Sequence, residues 1–301
     1  MISKKEKDIL DALKKGLIET KRVAENDFYA ENERETPKCI YYLRSFVNNL
    51  FVCDNHREDY KNGNGGELSE NNRWRIVPMA SLRSSAALTW NIFGDDKTCQ
   101  LNQAWGLSKG EYNLVYEWNK SETIHNHYAN LDAYLYNGNC HLFVEMKMLE
   151  PLMRVHSFKS VDKYLEKDVC PKEFQNAIKC FQKKEPEFFD AFQMIKHLLA
   201  IYNYFKKLEL KDSQKVVLLN CHWEPSEAYI SNHTYGNRAI SLQETYNLFN
   251  ETAKRFKEME ASFMPLFKGI GVNIKLETCD HRKIIELVGK TDNKYLKRYD
   301  I

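Results

Sequence analysis

The sequence predicts an α/β fold, a mixed β-sheet flanked by helices on both faces. Three observations carry this. Residues 131–136 and 141–149 are strand-like runs rich in aromatic and branched residues, separated by Asn137-Gly138-Asn139; that is a hairpin signature. Residues 187–207 repeat apolar side chains at helical spacing. Residues 215–220, a short apolar run between polar neighbours, read as a buried strand. With the segments before them, these give the order helix, three strands, helix, strand. We therefore expect a core at residues 76–225, an N-terminal helical extension at 1–75, and residues 226–301 decorating the same domain.

In chain order, residues 3–25 form a helix in this reading, with Ile9, Leu10, Leu13, Leu17 and Ile18 on one stripe. Residues 40–51, after Pro37, read as a second helix. Residues 54–72 centre on Asn62-Gly63-Asn64-Gly65-Gly66 and lack the Gly-Lys-Ser/Thr ending of a phosphate-binding loop. They read as a mobile surface loop; only Lys61, Arg73 and Arg75 support a DNA-contacting role. Residues 81–93 read as a helix whose Ser84, Ser85, Ala86 and Ala87 permit close packing on a sheet. Residues 112–119 are the strand before the hairpin, and Glu117 is its only acid.

His125 and His127 stand at a spacing that suits a transition metal, but they read as incidental histidines of a loop lead-in. Residues 161–184 read as a charged helical insertion with a solvated face. Along 187–207, Phe188, Phe192, Ile195, Leu199 and Tyr202 make the apolar stripe. Asp190, Gln193, Lys196, His197 and Asn203 make the opposite side. Cys221 to Pro225 leave the strand at 215–220. A helix at 241–263, a strand at 272–277 and an Asp280-capped helix ending near Gly289 complete the chain.

The 301 residues are 43% hydrophobic and 13% aromatic, enough for a large core. Charged residues are nearly balanced at net +2, so any basic nucleic-acid surface must be local. The eight cysteines form no CxxC pair and read as reduced thiols. No run approaches a membrane span and the start is not a signal peptide, so the expectation is a cytoplasmic protein with no membrane partner.

Chemistry concentrates in the hairpin. Side chains alternate along a strand, so Glu145 and Lys147 share a face. A two-residue loop at Asn137-Gly138 pairs Asp132 with Phe143, and a four-residue loop pairs it with Glu145. Both put Asp132 on the Glu145/Lys147 face, whereas a three-residue loop does not. Two carboxylates on one buried face repel and are penalised by burial. A hard divalent cation resolves this, and Mg²⁺ takes one or two carboxylates with waters and substrate phosphate as its other ligands. The Met146 backbone carbonyl offers a further oxygen. Lys147 is a point charge that can orient a water or steady developing charge.

Asp132 followed by Glu145-Met146-Lys147 on the next strand resembles the PD-(D/E)XK nuclease superfamily, in its restriction-endonuclease-like branch. Leu131 stands where the proline of the name would be. Residues 84–94, SSAALTWNIFG, look like the helix that precedes the core in uncharacterised bacterial members. Asp or Glu, any residue, then Lys also occurs at Glu19, Asp59, Asp95, Glu209 and Asp292. Only Glu145 ends an apolar strand that follows a strand carrying Asp.

The resemblance implies a restriction-endonuclease-like core of αβββαβ order. It implies Mg²⁺ or Mn²⁺ held by Asp132 and Glu145, and hydrolysis of phosphodiesters with Lys147 positioning the water. The substrate it points to is double-stranded DNA, with RNA, branched DNA, single strands or a non-catalytic binding module as alternatives. Relatives carry an acid on the helix before the core; this chain has none there. Glu117 reads either as a substitute ligand or as a solvent-facing glutamate. Gln193 and Lys196 fit, by order, a polar residue that faces the active site in relatives; otherwise they belong to a solvated stripe. The flanking segments would decorate the core, form a homodimer interface or read bases.

Overall fold

The hairpin forms at the centre of a six-stranded sheet. The computed structural model describes residues 3–31, 33–34, 38–51, 55–62, 66–70, 75–124, 127–153, 161–183, 188–210, 212–233 and 241–301. The first half runs α1 (Lys4–Glu19), α2 (Arg57–Asn62), α3 (Ser85–Phe93), β1 (Thr98–Leu101), β2 (Gly110–Trp118), β3 (Glu122–Ile124), β4 (His127–Tyr128), β5 (Leu131–Asn137) and β6 (Cys140–Lys147). The second runs α4 (Asp162–Leu165), α5 (Lys172–Lys183), α6 (Ala191–Lys206), β7 (Gln214–His222), α7 (Glu227–Asn232), α8 (Leu242–Glu258), α9 (Glu260–Lys268), β8 (Val272–Asp280) and α10 (His281–Leu287).

The sheet order is β1-β2-β5-β6-β7-β8, antiparallel from β1 to β6 and parallel from β6 to β8. Asn137 pairs with Cys140, so the turn is Gly138-Asn139, with Gly138 at φ 56°. Glycine enters this left-handed region without steric cost. Of the two registers that keep Asp132 on the Glu145 face, the structure adopts the one that sets it level with Glu145, one step beyond the Ala133–Val144 pair.

Every residue of β6 but Lys147 is buried, as expected of a strand covered on both sides. Leu142, Val144 and Met146 join a core with α1, α3 and α10. Phe143 joins a second core with α5, α6, α9 and the middle of α8. The fold is thus mixed α/β with helices on both faces. Residues 226–301 build the sheet itself, because β8 is its edge strand next to β7.

Several local expectations change. Residues 40–51 form two 3₁₀ turns, Cys39–Tyr41 and Phe46–Asn49, instead of a helix. Their backbone is committed elsewhere: Leu43 N–H bonds Ala80 O at 3.0 Å, and the Tyr41 and Tyr42 carbonyls receive Leu82 and Tyr29 N–H at 3.1 Å each. The expected loop at 54–72 contains α2, whose Tyr60 is buried and stacks on Trp90 at 5.0 Å; Arg73 lies outside the described residues. The first helix stops at Glu19, six residues early, before Lys21 at φ 61°.

The charged stretch at 161–184 divides into α4 and α5 around Pro171, which cannot continue a helix as donor. The helix expected at 241–263 pauses at Met259, whose N–H bonds Phe256 O at 3.1 Å before α9 begins. β7 runs two residues past Asn220, because β6 and β8 bond it on both sides through Cys221 and His222. β1 and the small β3–β4 hairpin were not expected.

Candidate active site

The site is assembled by β5, β6 and α6. Asp190 caps α6 by accepting the Gln193 N–H at 2.8 Å, which fixes the first turn and aims Gln193 at β6. Lys147 Nζ donates to Glu145 Oε1 at 2.6 Å and to Gln193 Oε1 at 2.9 Å. Gln193 Nε2 donates to the same Glu145 oxygen at 2.9 Å, closing a triangle. The other carboxylate oxygen, Oε2, sits 3.0 Å from His197 Nε2, one helical turn beyond Gln193. The contact is not aligned as a hydrogen bond, and neither His197 nitrogen has a hydrogen-bond partner among the described residues. Asp132 joins from β5: its Oδ2 accepts the Met146 N–H at 2.6 Å. Met146 therefore takes part through its N–H; its carbonyl was the expected ligand.

Glu117 belongs to the same neighbourhood. It stands level with Asp132 in the β2–β5 register, is buried, and accepts a hydrogen bond from Asn130. The ladder skips it, and its φ is 51°. A non-glycine residue held in this region costs of order 1–3 kcal/mol, and such strain clusters at functional sites. The solvent-facing reading of Glu117 is thereby excluded. His127 Nε2 sits 2.8 Å from Lys163 Nζ; His125 lies outside the described residues.

The charges are unequally settled. Burial pushes the Asp132 carboxyl up, and Glu145 and Glu117 push it further, well above the usual range; Lys147 and the Met146 N–H oppose this only in part. Burial also acts on Glu145, but Lys147 and His197 outweigh it and hold that carboxyl low. Lys147, despite burial, is raised by Glu145, Glu150 and Asp132. The pair Glu145–Lys147 is thus ionic, while Asp132 lacks a counter-charge of its own. Burial, with Glu117 and Glu150 nearby, raises Glu67 to about 7. On α6, burial lowers Lys196 despite Asp190 and Glu145, with Lys147 and Lys163 adding repulsion.

Two carboxylates converge here, and among the described residues no group of three or more His, Cys, Asp or Glu side chains is placed to hold a metal. That donor set does not suit Zn²⁺, which takes three or four protein ligands. It does suit Mg²⁺, which keeps most of its shell as water and phosphate. The unmet charge demand at Asp132 fits the same ion. So does Asn220, level with Glu145 on β7, whose buried Oδ1 has no hydrogen-bond partner among the described residues.

Sequence reasoning named Asp132, Glu145, Lys147, Gln193 and Glu117. It placed His197 on a polar stripe without assigning it a role, and it missed Glu67 and Glu150. The i, i+4 spacing of Gln193 and His197 was the available signal. For Glu67 and Glu150 there was none. The seven described cysteines are all free, and no helix among the described residues is long and apolar enough to cross a membrane. No family model, curated protein or solved structure matches the chain.

Proposed function

We propose that the protein is a Mg²⁺-dependent nuclease of the PD-(D/E)XK type that hydrolyses phosphodiester bonds in double-stranded DNA. The observation that carries this is the closed contact set of Glu145, Lys147 and Gln193, with Asp132 bonded to the peptide between Glu145 and Lys147. The order α3, β2, β5, β6, α6, β7 supports it as well.

Asp132 and Glu145 would hold the ion, which supplies Lewis-acid polarisation of the phosphoryl group and a lowered pKa for water. Lys147, steadied by Gln193 Oε1 at 2.9 Å, orients the attacking water and offsets charge developing on the phosphate. His197 and Gln193 keep the Glu145 carboxylate from turning away, so its geometry is set before substrate arrives. Lys196 and Lys163 add cations beside this centre, where a backbone phosphate would relieve their mutual repulsion.

The test is incubation with duplex DNA, single-stranded DNA, branched DNA and RNA, each with Mg²⁺ or EDTA. Duplex cleavage that needs Mg²⁺ and disappears in Glu145→Gln is expected. Preference for another nucleic acid corrects the substrate. No cleavage of any of them, with binding intact, would replace the enzyme with a binding module.

A further inference from the structure

A cavity of about 650 Å³ lies between α1 and residues 294–300, sharing no residue with the site around Asp132. Its wall is cationic. Arg22, Lys294, Lys297 and Arg298 line it, and among the described ion pairs none joins any of them to a carboxylate. The two acids that also line it are engaged: Glu19 pairs with Lys15 at 3.9 Å and Asp300 with Arg282 at 3.1 Å. Arg298 is only 6% exposed. Its Nη2 donates to the Asn49 carbonyl at 3.1 Å, to Asn49 Oδ1 at 3.0 Å and to the Tyr299 hydroxyl, but its Nε has no hydrogen-bond partner among the described residues. A buried guanidinium whose described partners are all neutral is costly, and an anion in the adjoining cavity lowers that cost.

The same wall carries stacked aromatics. Phe51 and Tyr295 stack at 5.2 Å, with Arg22 over both rings at 5.6 and 5.2 Å. Arg298 lies 4.5 Å from the Tyr295 ring centre. Phe51 is 40% exposed, so part of its ring is open to a planar group, and base–aromatic stacking tolerates any base. The volume is that of an ordinary small-molecule site.

We propose that this cavity binds a nucleotide, with the phosphates on Lys294, Lys297 and Arg298 and the base against Phe51. The nucleotide is either free or the end of a nucleic-acid strand, and the chemistry recognised is the same. The proposal does not rest on nuclease activity.

The test measures binding calorimetrically in EDTA, which keeps the site around Asp132 free of divalent metal. The probes are ATP, tripolyphosphate and a 5′-phosphorylated single-stranded oligonucleotide. Arg298 is left alone because it anchors the Asn49 turn. Lys294→Glu combined with Lys297→Glu should weaken ATP by about tenfold or more and leave the circular dichroism spectrum unchanged. Phe51→Ala should weaken ATP severalfold but not tripolyphosphate. Competition between the oligonucleotide and ATP would identify a strand end as the source; its absence would identify the free nucleotide. No ATP binding at millimolar concentration, or equal ATP affinity in wild type and both variants, would overturn the proposal.

Discussion

At the residue scale the informative groups are those whose charge is unsettled. Glu67, half-buried, moves from an ordinary 4.5 up to about 7 because its carboxyl is desolvated and Glu117 and Glu150 lie nearby. Its folded value exceeds its unfolded one, so its contribution to stability is complete below about pH 4.5 and is lost as pH rises through about 7. Asp132 acts in the same direction. Glu145 acts oppositely: its stabilisation is present above the ordinary carboxylate range and is lost as pH falls through its lowered value. The metal-free protein should therefore lose melting temperature between about pH 5 and 7.5. Glu67→Gln should flatten that slope, removing at most about 3 kcal/mol. An identical slope in wild type and Glu67→Gln would show that Glu67 is not coupled to this cluster. Asp132, Glu145 and Lys147 were legible in the sequence because strand alternation and one turn fix their relative placement. Glu67 was not, because its burial depends on packing across a segment that carries no periodic pattern.

At the element scale α6 does the positioning. Its polar side was read as facing either solvent or the active site. Gln193 and His197 reach Glu145 instead of solvent, and Asn203 donates to the Glu122 and Thr123 carbonyls of β3 at 3.0 Å each. Asp190 holds the start of this helix through the Gln193 N–H. Asp190→Ala should cost about 1 kcal/mol, a fall of about 1–3 °C in a chain this large, and should reduce cleavage by more than that loss of fold explains. Asp190→Ser should restore both. Full activity in Asp190→Ala, measured at a temperature where it stays folded, would mean that Gln193 needs no fixed position. Strands and helices with strong apolar patterns were legible: β5, β6, β8, α3, α6 and the Asp280 cap. The 3₁₀ segment at 39–49 was not, because its apolar spacing imitates a helix while its hydrogen bonds go to distant chain.

At the scale of the whole molecule, a net charge of +2 means that the proposed nucleic-acid substrate would have to be held by local cations. Log affinity for duplex DNA should fall linearly with log salt. Lys163→Ala and Lys196→Met should each lower the slope by about 1, while Lys147→Ala should impair cleavage far more than binding. A slope unchanged in Lys163→Ala and Lys196→Met would move the DNA to another face. The central claim is that Asp132 and Glu145 together hold a divalent cation, and it can be tested without knowing the substrate. Mg²⁺ that binds only the folded state stabilises it by about 1.4 kcal/mol at ten times its dissociation constant, or about 2–4 °C. Asp132→Asn keeps an acceptor for the Met146 N–H and removes one of the facing charges. The measurement is four melting curves: wild type and Asp132→Asn, each in Mg²⁺ and in EDTA. The predicted result is a slightly higher melting temperature for Asp132→Asn in EDTA and a Mg²⁺ shift confined to wild type. Equal Mg²⁺ shifts in the two proteins, or none in wild type, would contradict it.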